Sequence, residues 1–192
     1  VPGSNGLVNS LTHARSVMDK IGLPLLIKAS HGGGGKGIGT VKTRDELNKT
    51  FHRVKQEAAS AFACADVYIE RLVENVRHIE VQVLRDCHGH FRMVGIRDCS
   101  TQRNRQKLIE ESGEYVISKE QSESLRCWSQ QLSETIQYIG AGTVEFLFDL
   151  DLNCFYFMEM NTRLQVEHIV TEMTTGIDLV EQQLRIAEGQ SI

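Results

Sequence analysis

The chain has 192 residues, 41% hydrophobic and 24% charged, with a net charge of −4. That is enough for one medium domain or two small ones, in proportions ordinary for a folded soluble protein rather than a disordered one. No apolar run approaches the roughly 18 residues of a membrane span, and no basic patch suggests nucleic acid, so neither partner is expected.

Residues 4–21 read as a helix capped by Ser4 or Asn5, because Leu7, Leu11, Ala14, Val17, Met18 and Ile21 share one stripe. Gly22 and Pro24 stop it. Residues 23–29 (LPLLIKA) read as a short buried strand, followed by the glycine stretch SHGGGGKGIG and a second strand at TVK. Thr43 and Glu46 form a capping box for a helix carrying Leu47, Phe51, Val54, Ala58 and Ala61 on one face. DVYIERLV (66–73) is a third strand.

RHIEVQVLRD (77–86) alternates, with Ile79, Val81 and Val83 on one face and His78, Glu80, Gln82 and Leu84 on the other. His88 and Gly89 supply a turn, and HFRMVGIRD returns as the partner strand. Ser118 and Gln121 cap a helix reaching Ile139, with Leu125, Leu132, Ile136 and Ile139 inside, ended by Gly140. GTVEFLFD and CFYFMEM form a hairpin, and a last helix runs from about Asp178 to Glu188. The pattern is α+β with mostly antiparallel pairing. A boundary near Val73 separates a glycine unit (1–73) from a larger sheet unit (74–192).

Cys64, Cys87, Cys99, Cys127 and Cys154 are odd in number, widely spaced and without a C-x-x-C pair. Structural zinc and a disulfide framework are therefore not expected. A reducing compartment fits, the cytoplasm or an organelle matrix such as that of mitochondria.

Gly32, Gly34 and Gly37 match G-x-G-x-x-G, but a dinucleotide site needs a helix directly after the loop, and a strand follows here. A Walker loop needs glycine six positions before Lys36, where Ser30 stands. Strand, loop and strand suit a flap over polyphosphate, with backbone N–H donors and Lys28 or Lys36 as the charge. A ligand-free turn fits equally well.

If the later hairpin is symmetric about Leu152, Phe148 pairs with Tyr156, Glu145 lies opposite Glu159, and Asn161 shares their face. Like charges so placed repel, and both glutamates sit in apolar runs. A divalent cation would resolve the conflict, since carboxylates and an Asn carbonyl suit Mg²⁺. The alternative is buried glutamates paired with Arg or Lys. NTRLQVEH (161–168) then places Arg163, Gln165, Glu167 and His168 in one polar segment, able to bind an anion and supply a base. It could also be a capped loop leading into a helix. His78, Glu80 and Gln82 either line the same cleft or form a solvated sheet face.

KASHGGGGKGI, YIERLVENVRHIEVQVLRD, RDCSTQRNRQKLIEES, GAGTVEFLF and above all EMNTRLQVEHIVTEMTTGIDL resemble the biotin carboxylase component of biotin-dependent carboxylases, an ATP-grasp fold. The resemblance implies a glycine-flap subdomain plus part of the antiparallel-sheet core. It implies ATP, Mg²⁺ or Mn²⁺, and bicarbonate, which is phosphorylated to carboxyphosphate before biotin on a carrier domain is carboxylated. A carboxyltransferase partner and a full-length homo-oligomer are implied too. By the same resemblance Lys28, Gly32, Gly33, Gly34, Gly35, Lys36 and Gly37 hold ATP phosphates. Glu70, Arg71 and Val73 read adenine, and His78, Gln102 and Leu147 also line the nucleotide. Glu145, Glu159 and Asn161 would be the metal ligands and Glu167 the base. Arg163 would stabilise the biotin enolate, Gln165 and Val166 would contact bicarbonate, and Lys107 lies in the family's basic segment.

The chain departs from the family at QRNRQK, which brings Asn104 and Arg105, at EESGEY, at Gly39 and in the long turn DLDLN. Family members carry a lobe before this region and another after it. The segment is accordingly expected to be incomplete for catalysis alone. A non-biotin ATP-grasp ligase of the carboxylate-amine or carbamoyl-phosphate type, and a nucleotide-binding module without catalysis, are the competing readings.

Overall fold

A computed structural model describes residues 1–31, 36–104 and 106–192. The chain divides into two compact units, Val1–Glu74 and Asn75–Ile192.

In the first unit an antiparallel sheet, ordered β2-β1-β3, is built from β1 (Leu25–Ala29), β2 (Ile38–Val41) and β3 (Val67–Arg71). α1 (Leu11–Ile21) and α2 (Glu46–Phe62) carry Val17, Met18, Leu47, Phe51 and Val54 into one core with Leu25, Ile27 and Ile69. The first helix starts later than its stripe implies. Asn5 has φ 51° and Gly6 φ 137°, conformations no helix passes through. The amides of Ser4 and Val8 instead donate to the carbonyls of Ile69 and Val67. Ser10, not Ser4 or Asn5, is the cap, its side chain accepting from the His13 amide. At α2 only half of the expected box forms: Glu46 accepts from the Lys42 and Thr43 amides, and no side chain caps the helix.

Gly39 and Gly37 are fixed by space. A Cβ on Gly39 would lie 2.5 Å from Thr50 Cγ2 and 2.7 Å from Val54 Cγ2, so α2 sits directly on bare backbone. Gly37 has φ 68°, and a Cβ there would come within 2.8 Å of Ala29 Cβ.

The second unit is a five-stranded antiparallel sheet ordered β6-β5-β4-β7-β8. Its strands are β4 (Val76–Arg85), β5 (Phe91–Arg103), β6 (Gln106–Ser112), β7 (Gly140–Asp149) and β8 (Cys154–Asn161). On one face Ile79, Val81, Val83, Ile96, Val144, Phe146 and Phe148 pack with Leu125 of α3 (Lys119–Thr135). Ser118 and Gln121 form the full reciprocal capping box. The helix ends short of Ile139: Gln137 takes φ 52°, and Ile136 and Ile139 are left exposed.

β6 has no counterpart in the sequence reading. Its residues QKLIEES carry a single apolar side chain on each face, Leu108 and Ile109, so no hydrophobic period marks it. On the other face of the sheet lie α4 (His168–Thr175), whose Thr171 faces Gly95 of β5, and α5 (Leu179–Ala187), whose Leu179 and Ile186 join Leu84 and Ala141.

The β7–β8 register also differs in part. Phe148 pairs with Phe155 and Leu147 with Tyr156, one step off the symmetric expectation. Met158 is an extra residue, and past it Glu145 does face Glu159 and Thr143 faces Asn161. A bulge of this kind bends a strand and re-aims the side chains that follow.

Candidate functional site

The strand pairings place one row of charge across the sheet. Arg97 of β5 faces Glu80 of β4, which faces Glu145 of β7, which faces Glu159 of β8. Three adjacent carboxylates at cross-strand distance repel unless cations intervene. Arg97 and Glu80 are fully buried, and Glu145 is nearly so at 4% exposure.

The intervening cations are side chains. Lys107 of β6 reaches Glu80 Oε1, with Glu167 Oε1 at 3.1 Å and Glu145 Oε1 at 3.4 Å. Arg97 contacts the other oxygen of Glu80 from Nη2 at 3.0 Å and from Nε at 3.3 Å. His78 Nε2 meets Glu145 Oε2 at 2.7 Å, and Gln102 Nε2 donates to His78 Nδ1 at 2.8 Å. Asn161 Nδ2 and Gln165 Nε2 donate to Glu145 Oε1 at 2.7 and 2.9 Å. His78, Glu80 and Gln82 are therefore neither a solvated face nor peripheral; they belong to this network.

Burial pushes the Glu145 carboxyl upward, but His78, Lys107 and Gln165 outweigh it and hold it well below the usual range, at about 2. Burial likewise works against the Lys107 ammonium, and Glu80, Glu145 and Glu167 reverse that and raise it. Glu167 is lowered: burial raises it, while its own backbone N–H and Lys107 prevail. Its place at the N-terminus of α4 leaves it half-buried, with no side-chain capping bond. His168 Nδ1 bonds the Gln165 carbonyl at 2.7 Å and fixes the segment between them.

Lys107, Glu145, Asn161, Gln165, Glu167, His78 and Gln102 are thus brought together. Glu159 is not part of that network. It sits on edge strand β8 and is exposed, contrary to the burial its apolar neighbours implied. The conflict at Glu145 is met by protein cations, the alternative the sequence left open. Arg163 is exposed and bonds the Leu164 carbonyl at 3.3 Å, and Val166 is 84% exposed. Leu147 lies opposite His78.

Glu145, Glu159 and Asn161 still offer hard oxygen donors on one face, with Glu159 showing no hydrogen bond or ion pair among the described residues. That donor set fits Mg²⁺ or Mn²⁺.

In the first unit Lys28 Nζ bonds Glu70 Oε2 at 2.5 Å. Arg71 and Val73 are half-buried, and Lys36 is exposed. Gly32, Gly33, Gly34 and Gly35, like Arg105, lie outside the described residues.

Arg97, Thr143 and Thr171 were missing from the sequence reading, although all three are buried in the network. One signal was there: a hairpin turning at His88 and Gly89 sets Arg97 opposite Glu80, as observed.

A glycine-flanked three-stranded sheet and a separate antiparallel sheet bearing an acidic row define an ATP-grasp fold. The family described as "Carbamoyl-phosphate synthase L chain, ATP binding domain" matches residues 1–192, and the chain belongs to it. Biotin carboxylase 1 of Bacillus subtilis is 46% identical over the whole chain, which covers 43% of that protein. The crystal structure of a Campylobacter jejuni biotin carboxylase–β,γ-ATP complex matches with a TM-score of 0.95 at 44% identity, over 100% of this chain and 43% of that one. The biotin carboxylase domain dimer of Hydrogenobacter thermophilus 2-oxoglutarate carboxylase, in complex with MgADP, ADP and bicarbonate, matches at 0.94 and 43% identity, over 100% of this chain and 42% of that one. The chain thus spans less than half the length of these relatives.

Proposed function

We propose that this chain is the nucleotide- and bicarbonate-handling part of a biotin carboxylase, serving ATP-dependent carboxylation of carrier-bound biotin through carboxyphosphate. The observation that carries the reading is Lys107, which joins Glu167 to Glu145 in one buried network. A base must be ionised at neutral pH and within reach of its proton. Glu167 is held ionised by Lys107 and its own backbone N–H against the effect of burial, and it is only half-buried. Arg163, four residues earlier in the chain, is exposed, so its guanidinium can meet an anion or a developing enolate. Gln165 and Val166 stand between the two and would orient bicarbonate.

Glu145, Glu159 and Asn161 would hold Mg²⁺, which when bound neutralises charge on transferring phosphoryl oxygens. His78, Gln102 and Leu147 are assigned to the nucleotide in the second unit. In the first unit Lys28, Lys36, Gly37 and residues 32–35 are assigned to the phosphates, and Glu70, Arg71 and Val73 to adenine. Bicarbonate, a biotin carrier domain and a carboxyltransferase are the proposed partners, the full-length protein is proposed to be a homo-oligomer, and a reducing cytoplasm or organelle matrix is the proposed site of action.

The test is bicarbonate-dependent ATP cleavage by the complete natural protein that contains this segment, with and without Glu159→Gln. Glu159 is exposed, so the variant should fold normally while losing activity about 100-fold or more. Full activity in the variant refutes the metal assignment, and absence of any bicarbonate dependence in the unaltered protein refutes the reading itself.

A further inference from the structure

Arg97 has no role in the reaction proposed above, yet all three of its guanidinium nitrogens are hydrogen-bonded. An arginine has five N–H donors in a rigid fork. Here Nε and Nη2 go to Glu80 Oε2, Nη1 to Gln82 Oε1 at 2.7 Å and Thr171 Oγ1 at 2.9 Å, and Nη2 also to Thr143 Oγ1 at 3.0 Å and Gln165 Oε1 at 3.3 Å. The acceptors come from β4, β7, the segment before α4 and α4 itself. The guanidinium is at 0% exposure, so each bond acts without competition from water.

We propose that Arg97 is a positioning residue that sets the geometry of both the expected metal carboxylate and the expected base, without touching either substrate. Two chains of contacts lead out from it. One runs through Gln165, whose amide accepts from Arg97 and donates to Glu145. The other runs through Glu80, which takes Arg97 on one oxygen and Lys107 on the other, Lys107 then reaching Glu167. Thr171 ties the same guanidinium to α4, the helix that Glu167 begins. Lysine cannot substitute, since its three donors on a flexible stem leave several of the acceptors unpaired.

The inference rests on the reading under Proposed function, and the experiment separates the two. In the complete natural protein, Arg97→Lys should lower kcat for bicarbonate-dependent ATP cleavage about 100-fold, with KM for ATP changing less than about threefold. Arg97→Lys combined with Thr171→Val should cost little more than the worse single change, because both interrupt the same tie between the guanidinium and α4. A crystal structure of Arg97→Lys should show Glu80 and Gln165 displaced, a result that does not depend on what the protein catalyses. Unmoved side chains, a kcat within twofold of the unaltered protein, or costs that multiply in the double variant overturn the inference. If Arg97→Lys does not fold, Thr171→Val serves. It should lower kcat at constant KM and move α4, and Thr171→Ser should restore both; equal behaviour of the two variants overturns the inference as well.

Discussion

Replacing Lys107 by methionine tests whether protein cations alone hold the acidic row together. The ammonium stands between Glu80, Glu145 and Glu167, and the Lys107 side chain is 16% exposed. Removing one partner of a buried pair costs about 3–5 kcal/mol. His78 and Arg97 remain beside two of the three carboxylates, so the lower end, about 3 kcal/mol, is expected at pH 7. Urea denaturation followed by Trp128, the only tryptophan, reads the second unit directly, since its ring packs against Phe146 and Phe155. The pH dependence carries the sign. In the unaltered chain Glu145 is depressed to about 2, so the stability it contributes is present above its ordinary value of 4.5 and is lost as pH falls from there toward 2. Without Lys107 the row favours protonation in the folded state, and the deficit of the variant should shrink as pH is lowered from 7 to 5. A loss under about 1 kcal/mol at pH 7, or a deficit independent of pH, refutes this account of the row.

Gly39→Ala should cost about 1–3 kcal/mol through overpacking against Thr50 and Val54; an unchanged melting temperature of the first unit would contradict the close seating of α2. Ser118→Ala removes one side of the capping box and should cost about 1 kcal/mol in the Trp128-detected transition, while Ser118→Asp should retain most of the stability. An alanine variant as stable as the unaltered chain would show that the box is not holding α3.

Sequence alone revealed the elements whose apolar period is strong. β4 alternates as expected, and α3 begins at the Ser118 box. What it missed has two physical sources. Residues 106–112 form a strand with one apolar side chain per face, Leu108 and Ile109, too few to set a hydrophobic period. Residues 4–10 sustain a helical stripe, but Asn5 and Gly6 take left-handed backbone and the segment bonds to β3 instead. At the site, local motif reading found Glu145, Gln165 and Glu167, and the family resemblance supplied Lys107. It passed over Arg97 because a lone arginine in a strand looks like surface until its register partner is considered. It placed Glu159 in the interior because neighbouring residues are apolar, although the edge position of β8 leaves that side chain open.

The extra residue at Met158 separates the β7–β8 hairpin into two independently phased halves. The tip, with its long DLDLN turn, keeps one count with β7; the half bearing Glu159 and Asn161 keeps another. A bulge therefore works as a slip joint. Turn length and tip pairing can drift over evolutionary time, with the one-residue offset absorbed at Met158, while Glu159 stays in step with Glu145.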